Sequence, residues 1–187
     1  MVKKPHVRNL FISALLLTLA AAARAEPQIR NLTAVANGSS VSVHFTLAGA
    51  FDDAEVVRGL QSGLPLRFGY IVEIYRDRPN WFDDGIGHTR IEVTASFNSI
   101  TREYALEVRR DRKLDRSETF TDLDSLERRM TTIDEPALFD IGRRRPYKLR
   151  VRAKADFGRT FLFYIVPSSN STRWRNVRVA AVAEPAP

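Results

Sequence analysis

The sequence predicts a mainly β protein: an antiparallel β-sandwich of Ig-like architecture with two short helices, the alternative being an open β-barrel. Three observations carry this. Apolar residues recur at period two in seven or eight segments, turn residues separate those segments at short intervals, and only two stretches have capped helical spacing. A chain of 187 residues with 44% hydrophobic and 27% charged residues is one domain's worth, neither a disordered tract nor a multi-span membrane protein. With no Cys, disulfides, thiolate zinc sites and cysteine nucleophiles are excluded.

Residues 1–25 read as a secretory signal peptide. Lys3, Lys4 and Arg8 form a positive start, Leu10 to Ala23 an apolar stretch, and Ala23-Arg24-Ala25 a small-residue cleavage site. Fourteen apolar residues rise only about 21 Å as a helix, short of the ~30 Å hydrocarbon core, so cleavage after Ala25 is expected rather than retention as an anchor. Residues 26–182 then form one domain, residues 183–187 a disordered tail, and no transmembrane span remains. The expected location is periplasmic or secreted. The leader holds four of the 29 cations and no acid, so the formal charge of +7 falls to +3 without it. A net +3 is a weak argument for nucleic acid, and none is expected as partner.

Residues 28–47 predict a hairpin about Asn37-Gly38-Ser39, with Val41, Val43, Phe45 and Leu47 alternating with polar residues. Residues 52–62 predict a helix capped by Asp52 or Asp53 and ended by Gly63. Residues 64–78 are the clearest strand, and their length predicts a bulge near Gly69. Residues 79–87 have turn chemistry, and Ile91–Phe97 and Tyr104–Val108 continue a meander. The charge run 109–118 reads as a solvated loop. Residues 121–130 predict a second helix, with acids early and Arg128 and Arg129 late. Residues 134–146 hold Pro136, Gly142 and Pro146 and read as a loop, 147–155 as a strand, 161–166 as an apolar run, and 173–182 as a last strand.

The stretch Gly59-Leu60-Gln61-Ser62-Gly63-Leu64-Pro65-Leu66-Arg67-Phe68 runs into Glu73-Ile74-Tyr75-Arg76-Asp77-Arg78-Pro79-Asn80-Trp81-Phe82-Asp83. It resembles the exported bacterial domain of unknown function 4390, whose pattern is a helix ending in G-L-x-x-G-L-P-L, a strand, then Y-R-x-R-x-x-W. Thr101-Arg102-Glu103-Tyr104 looks like the opening of that family's next strand. From Phe157 the chain departs from the family's aromatic ending, with Trp174 as a remnant. The resemblance implies an exported, mainly β domain and no particular activity.

Two surfaces stand out as binding candidates. The loop Arg76–Asp84 offers Arg76, Arg78, Trp81, Phe82 and Asp83, and Trp and Arg dominate protein hot spots; the competing reading folds Trp81 back onto a sheet edge. Asp77, Asn80, Asp83 and Asp84 lack EF-hand spacing and a closing Glu, so no metal is expected. The second surface is the alternating stripe Lys148, Arg150, Arg152 and Lys154, extended by Arg143, Arg144 and Arg145, which suits an anionic envelope polymer or lipid. Its competing reading is cross-strand pairing with Glu73, Glu92, Glu103 and Glu107.

Catalysis has little support. His44 and His88 are the only His residues after the leader, Gly85-Ile86-Gly87 reads as a turn, and no H-E-x-x-H, G-x-S-x-G or P-loop motif is present. The sequence therefore points to a non-enzymatic domain of the bacterial envelope, without cofactor, that binds a protein partner. Binding of an anionic polymer or lipid is the alternative, and a hydrolase with a dispersed site is less favoured.

Overall fold

The computed structural model describes residues 26–77, 84–157 and 171–181. The elements follow in the order β1 (Gln28–Asn37), β2 (Ser40–Ala48), α1 (Ala54–Gln61), β3 (Leu66–Arg76), β4 (Asp84–Asn98), β5 (Glu103–Arg110), β6 (Lys113–Phe120), α2 (Leu123–Thr131), β7 (Thr132–Asp140), β8 (Leu149–Phe157), β9 (Arg175–Arg178) and β10 (Ala180–Ala181). A 3-10 turn, Pro146–Lys148, precedes β8. Strands β10-β1-β2-β7 form the smaller sheet and β6-β5-β4-β3-β8-β9 the larger. The sheets do not close into a barrel, so the sandwich is the architecture.

Period-two patterning builds the core. Val41, Val43, Phe45 and Leu47 of β2 are buried while Ser42, His44 and Thr46 face outward. Opposite them lie Leu66, Phe68, Tyr70, Val72 and Ile74 of β3, all buried. The rings of Phe45 and Tyr70 meet edge to face at 5.5 Å across the two sheets. The Tyr70 hydroxyl donates to the Met130 carbonyl at 2.7 Å, and burial pushes its phenol pKa well up. That bond ties the end of α2 to the middle of β3. The helix starts where the Asp122 carboxylate accepts from the Ser125 N–H at 2.7 Å. This bond holds the Asp122 pKa below its ordinary value. Leu126 and Met130, four apart, are its buried face.

The first hairpin turns one residue later than an Asn-Gly turn would. Asn37 pairs with Ser40, leaving Gly38-Ser39 as the loop. Gly38 has φ +61°, as the first residue of a type II′ turn requires. Helix α1 is capped by Asp53, whose carboxylate accepts from the Glu55 N–H at 2.8 Å.

Several sequence-based expectations are corrected. The charge run 109–118 is not a loop: Asp111 and Arg112, at φ +48° and +71°, make a tight turn from β5 into β6. Strand β6 is charged because it lies at the sheet's edge, where charges block pairing with other chains. Residues 132–140 form β7 rather than a loop. Pro136 is accommodated because β7 is an edge strand and its pairing with β2 is irregular between Val43–Glu135 and Val41–Phe139. The bulge in the long β3–β4 pair is not at Gly69. Ile74 pairs with Gly87 and Tyr75 with Gly85, so Ile86 is the extra residue. Gly85-Ile86-Gly87 therefore belongs to a bulged strand, not a turn. The last segment is split: β9 pairs antiparallel with β8, Val179 is buried, and β10 pairs with β1 in parallel, against the all-antiparallel expectation. The Phe161–Val166 run and the 183–187 tail lie outside the described residues, as does the 1–25 leader. Among the described residues no helix is long and apolar enough to cross a membrane.

Candidate functional site

The ladder partners place the stem of the β3–β4 hairpin and the start of β8 at one end of the sandwich. Arg76, at the end of β3, pairs with Asp84 of β4 on one side and Leu149 of β8 on the other. The loop carrying Arg143, Arg144 and Arg145 enters β8 at that same end. It is anchored to the β1–β2 turn where the Ile141 N–H donates to the Ser39 carbonyl at 2.7 Å. Two segments separate in sequence thus adjoin because β3 is the common neighbour of β4 and β8.

Of the first surface, Arg76 is half-buried and faces Asp84 across 3.9 Å. Arg78, Trp81, Phe82 and Asp83 lie outside the described residues. The strands on either side of them form a stem: β3 and β4 pair from Leu66–Ala95 to Arg76–Asp84. Asp77, the last described residue of the stem, forms an ion pair with Arg150, its carboxylate 2.7 Å from Arg150 Nε. One contact therefore joins the hairpin to the basic stripe.

On the outer face of the larger sheet, side chains align in rows perpendicular to the strands. The row nearest the hairpin runs Arg178, Arg150, Tyr75, Gly85, and the next runs Asn176, Arg152, Glu73, His88. In the second row Arg152 donates from Nε to Glu73 at 2.6 Å. Its guanidinium also stacks 5.3 Å from the Tyr75 ring and 4.8 Å from the Trp174 ring, with Lys154 Nζ 5.0 Å from that Trp174 ring. Tyr75, although on the outer face, is buried beneath this cover. A cavity of about 360 Å³ lies at the hairpin root, between Glu73, Tyr75, the Gly85–Gly87 bulge, His88 and Arg152. The bulge opens it: the extra residue Ile86 breaks the regular pleat beside Tyr75.

Cross-strand pairing accounts for part of the basic stripe. Arg152 faces Glu73 and Arg150 faces Asp77, but the other proposed acids go elsewhere, Glu92 to Arg90 at 2.9 Å and Glu107 to Arg109 at 3.1 Å. Arg143 and Lys148 are exposed, and Arg144 donates to its own loop's Ile141 carbonyl at 3.2 Å. Arg145, also exposed, is engaged in contacts of its own. Arg178 was missed from the sequence. Its signal was the alternation Trp174, Asn176, Arg178, which puts all three on the face that carries Lys154, Arg152 and Arg150.

The two His residues do not share a site. His44 lies on the outer face of the smaller sheet, 3.8 Å from Asp134, and His88 on the outer face of the larger. Among the described residues no three His, Asp or Glu side chains cluster to hold a metal ion.

The chain is a two-sheet β domain whose larger sheet carries Arg150, Arg152, Tyr75 and Trp174 on its outer face. Residues 24–160 match the family model described as Domain of unknown function (DUF4390), and the chain belongs to that family. The match is the one its Gly59–Asp83 segment resembles, and it ends before β9. No curated protein and no solved structure matches the chain significantly.

Proposed function

We propose that this chain is an exported, periplasmic, non-enzymatic domain of the bacterial envelope that binds a protein partner with the β3–β4 hairpin end of the sandwich. The observation that carries the reading is the convergence at that end: the hairpin stem, the cavity beside its bulge and the 141–148 loop are neighbours through β3 and β8. A bulge that re-aims a strand beside a cavity is a feature of functional sheet ends. Trp81 and Phe82 of the hairpin are residue types suited to anchor a partner, with Arg76 and Arg78 beside them. The leader carries the proposal of export.

The test is in-cell photo-crosslinking from residue 88 and, separately, residue 81, with exposed Leu114 on β6 as the control position. The expected result is one reproducible protein adduct from both test positions and none from residue 114. Equal adducts from all three, or none from 88 and 81, would remove the reading. Trp81→Ala with Phe82→Ala should abolish the adduct at residue 88 while leaving the melting temperature unchanged.

A further inference from the structure

We infer that Arg150 and Arg178 form a subsite for a phosphate group on the outer face of the larger sheet, at its β8–β9 corner. The inference rests on charge balance along the face. In most of the face, basic and acidic side chains alternate or meet diagonally. Arg152 is answered by Glu73, Arg90 by Glu92 at 2.9 Å and Asp156 at 3.6 Å, and Arg109 by Glu107 at 3.1 Å. The row at the hairpin end departs from this. Arg150 and Arg178 are direct cross-strand partners on one face, an arrangement that places side-chain bases about 5 Å apart and is destabilising for like charges.

Asp77 compensates only one of the two. Its carboxylate lies 2.7 Å from Arg150 Nε as an ion pair, whereas Arg178 is exposed and has no ion-pair partner among the described residues. Exposed Lys148 lies two residues before Arg150 on the segment that the Val179 N–H, donating to the Leu149 carbonyl at 3.0 Å, holds against residues 178–180. Guanidinium forks match the oxygens of a tetrahedral oxyanion, and two facing forks with a nearby ammonium suit a phosphate better than a monovalent carboxylate. A bound phosphate would convert the repulsive pair into two charge-assisted contacts. The subsite shares an end of the sandwich with the proposed partner surface but does not depend on it. Arg178 also lies beyond the residues matched by the family model.

The phosphate can be free in solution or part of a phospholipid headgroup, and the experiment separates these sources. The purified chain is titrated with inorganic phosphate and pyrophosphate. It is floated separately with vesicles of phosphatidylcholine alone and of phosphatidylcholine with phosphatidylglycerol. Variants are Arg178→Glu, Arg178→Gln and, as a same-face control at the far end of β3, exposed Arg67→Gln. Losing a charge-assisted contact should weaken binding about tenfold or more, so both Arg178 variants should show that loss and Arg67→Gln almost none. Binding of the soluble anions identifies free phosphate as the source; binding only to the phosphatidylglycerol vesicles identifies a headgroup. Without ligand, Arg178→Glu should melt higher than the parent, since Arg150 would then face a carboxylate. The inference is overturned if neither source binds, if the Arg67 and Arg178 variants lose affinity equally, or if Arg178→Gln keeps full affinity. A lower ligand-free melting temperature for Arg178→Glu would also overturn it, by making Arg178 a structural residue.

Discussion

The guanidinium of Arg90 crosses β3 over Gly69: a Cβ built at residue 69 would lie 2.8 Å from Arg90 Nη2 and 3.3 Å from Arg90 Cζ. Gly69 pairs with Glu92 on one side and Asp156 on the other, and the missing side chain lets Arg90 of β4 reach across β3 to Asp156 at 3.6 Å. Substitution Gly69→Ala should displace the mobile tip of Arg90 and break its contact with Asp156. Exposed ion pairs contribute little, so the loss should stay below about 1 kcal/mol. In an Arg90→Ala background the same change should be neutral or stabilising. Urea unfolding of the double-mutant cycle measures this.

Tyr70 and Met130 make a buried bond between β3 and α2. Tyr70→Phe keeps the ring against Phe45 but leaves the Met130 carbonyl without its donor. A cost of about 1–2 kcal/mol is expected, read as a lower denaturation midpoint with an unchanged m-value.

Glu135 is 5% exposed and accepts from both Arg110 of β5 and Arg116 of β6, so it clasps the smaller sheet's edge to the larger sheet's. Glu135→Ala would leave the two guanidiniums with Asp115 alone, 3.9 Å from Arg110 and 3.3 Å from Arg116. The guanidiniums keep about a third of their surface exposed. The expected loss is therefore about 2 kcal/mol, below the 3–5 typical of a fully buried broken pair. Equilibrium unfolding reads the loss, and a loss under half that value would show the clasp to be incidental.

The Glu127 carboxyl titrates above its ordinary value because of burial first, then the charges of Asp124 and Asp52. A carboxyl whose folded pKa is raised is disfavoured in its ionised form, so its stability contribution worsens as pH rises through the region just above 4.5. Glu127→Gln should therefore raise the melting temperature at pH 7. The difference should vanish on acidification below pH 4, and a constant difference across that range would refute the assignment.

What the sequence revealed depended on which side of an element water reaches. Phe45 and Tyr70 announced their strands because one face is dry and the other wet, and early acids with late arginines announced the helix that Asp122 caps. Strands β6 and β7 were hidden because edge strands carry charges and Pro136, the same residue types that mark loops. The bulge was foreseen from the length of β3 but misplaced, since its cause is the Gly85–Gly87 segment of the partner strand. At the candidate site the cationic alternation in β8 was legible, while the facing of Arg150 and Arg178 was not. Facing is a property of two strands, and nothing in residues 143–154 names the strand that will pair with them.

The C-terminal segment that leaves the larger sheet at Arg178 and joins the smaller one at Ala180 sets an order of events. Chain order delivers Val35 early and its parallel partner Ala180 late, so the outer edge of β1 waits, unpaired, for the last strand. Stitching of the two sheets at that edge is therefore a finishing step, and a non-local one that comes slowly. Until it happens the nascent domain carries an open strand that other chains can join. Protection of that edge falls to whatever holds the chain until its last strand arrives.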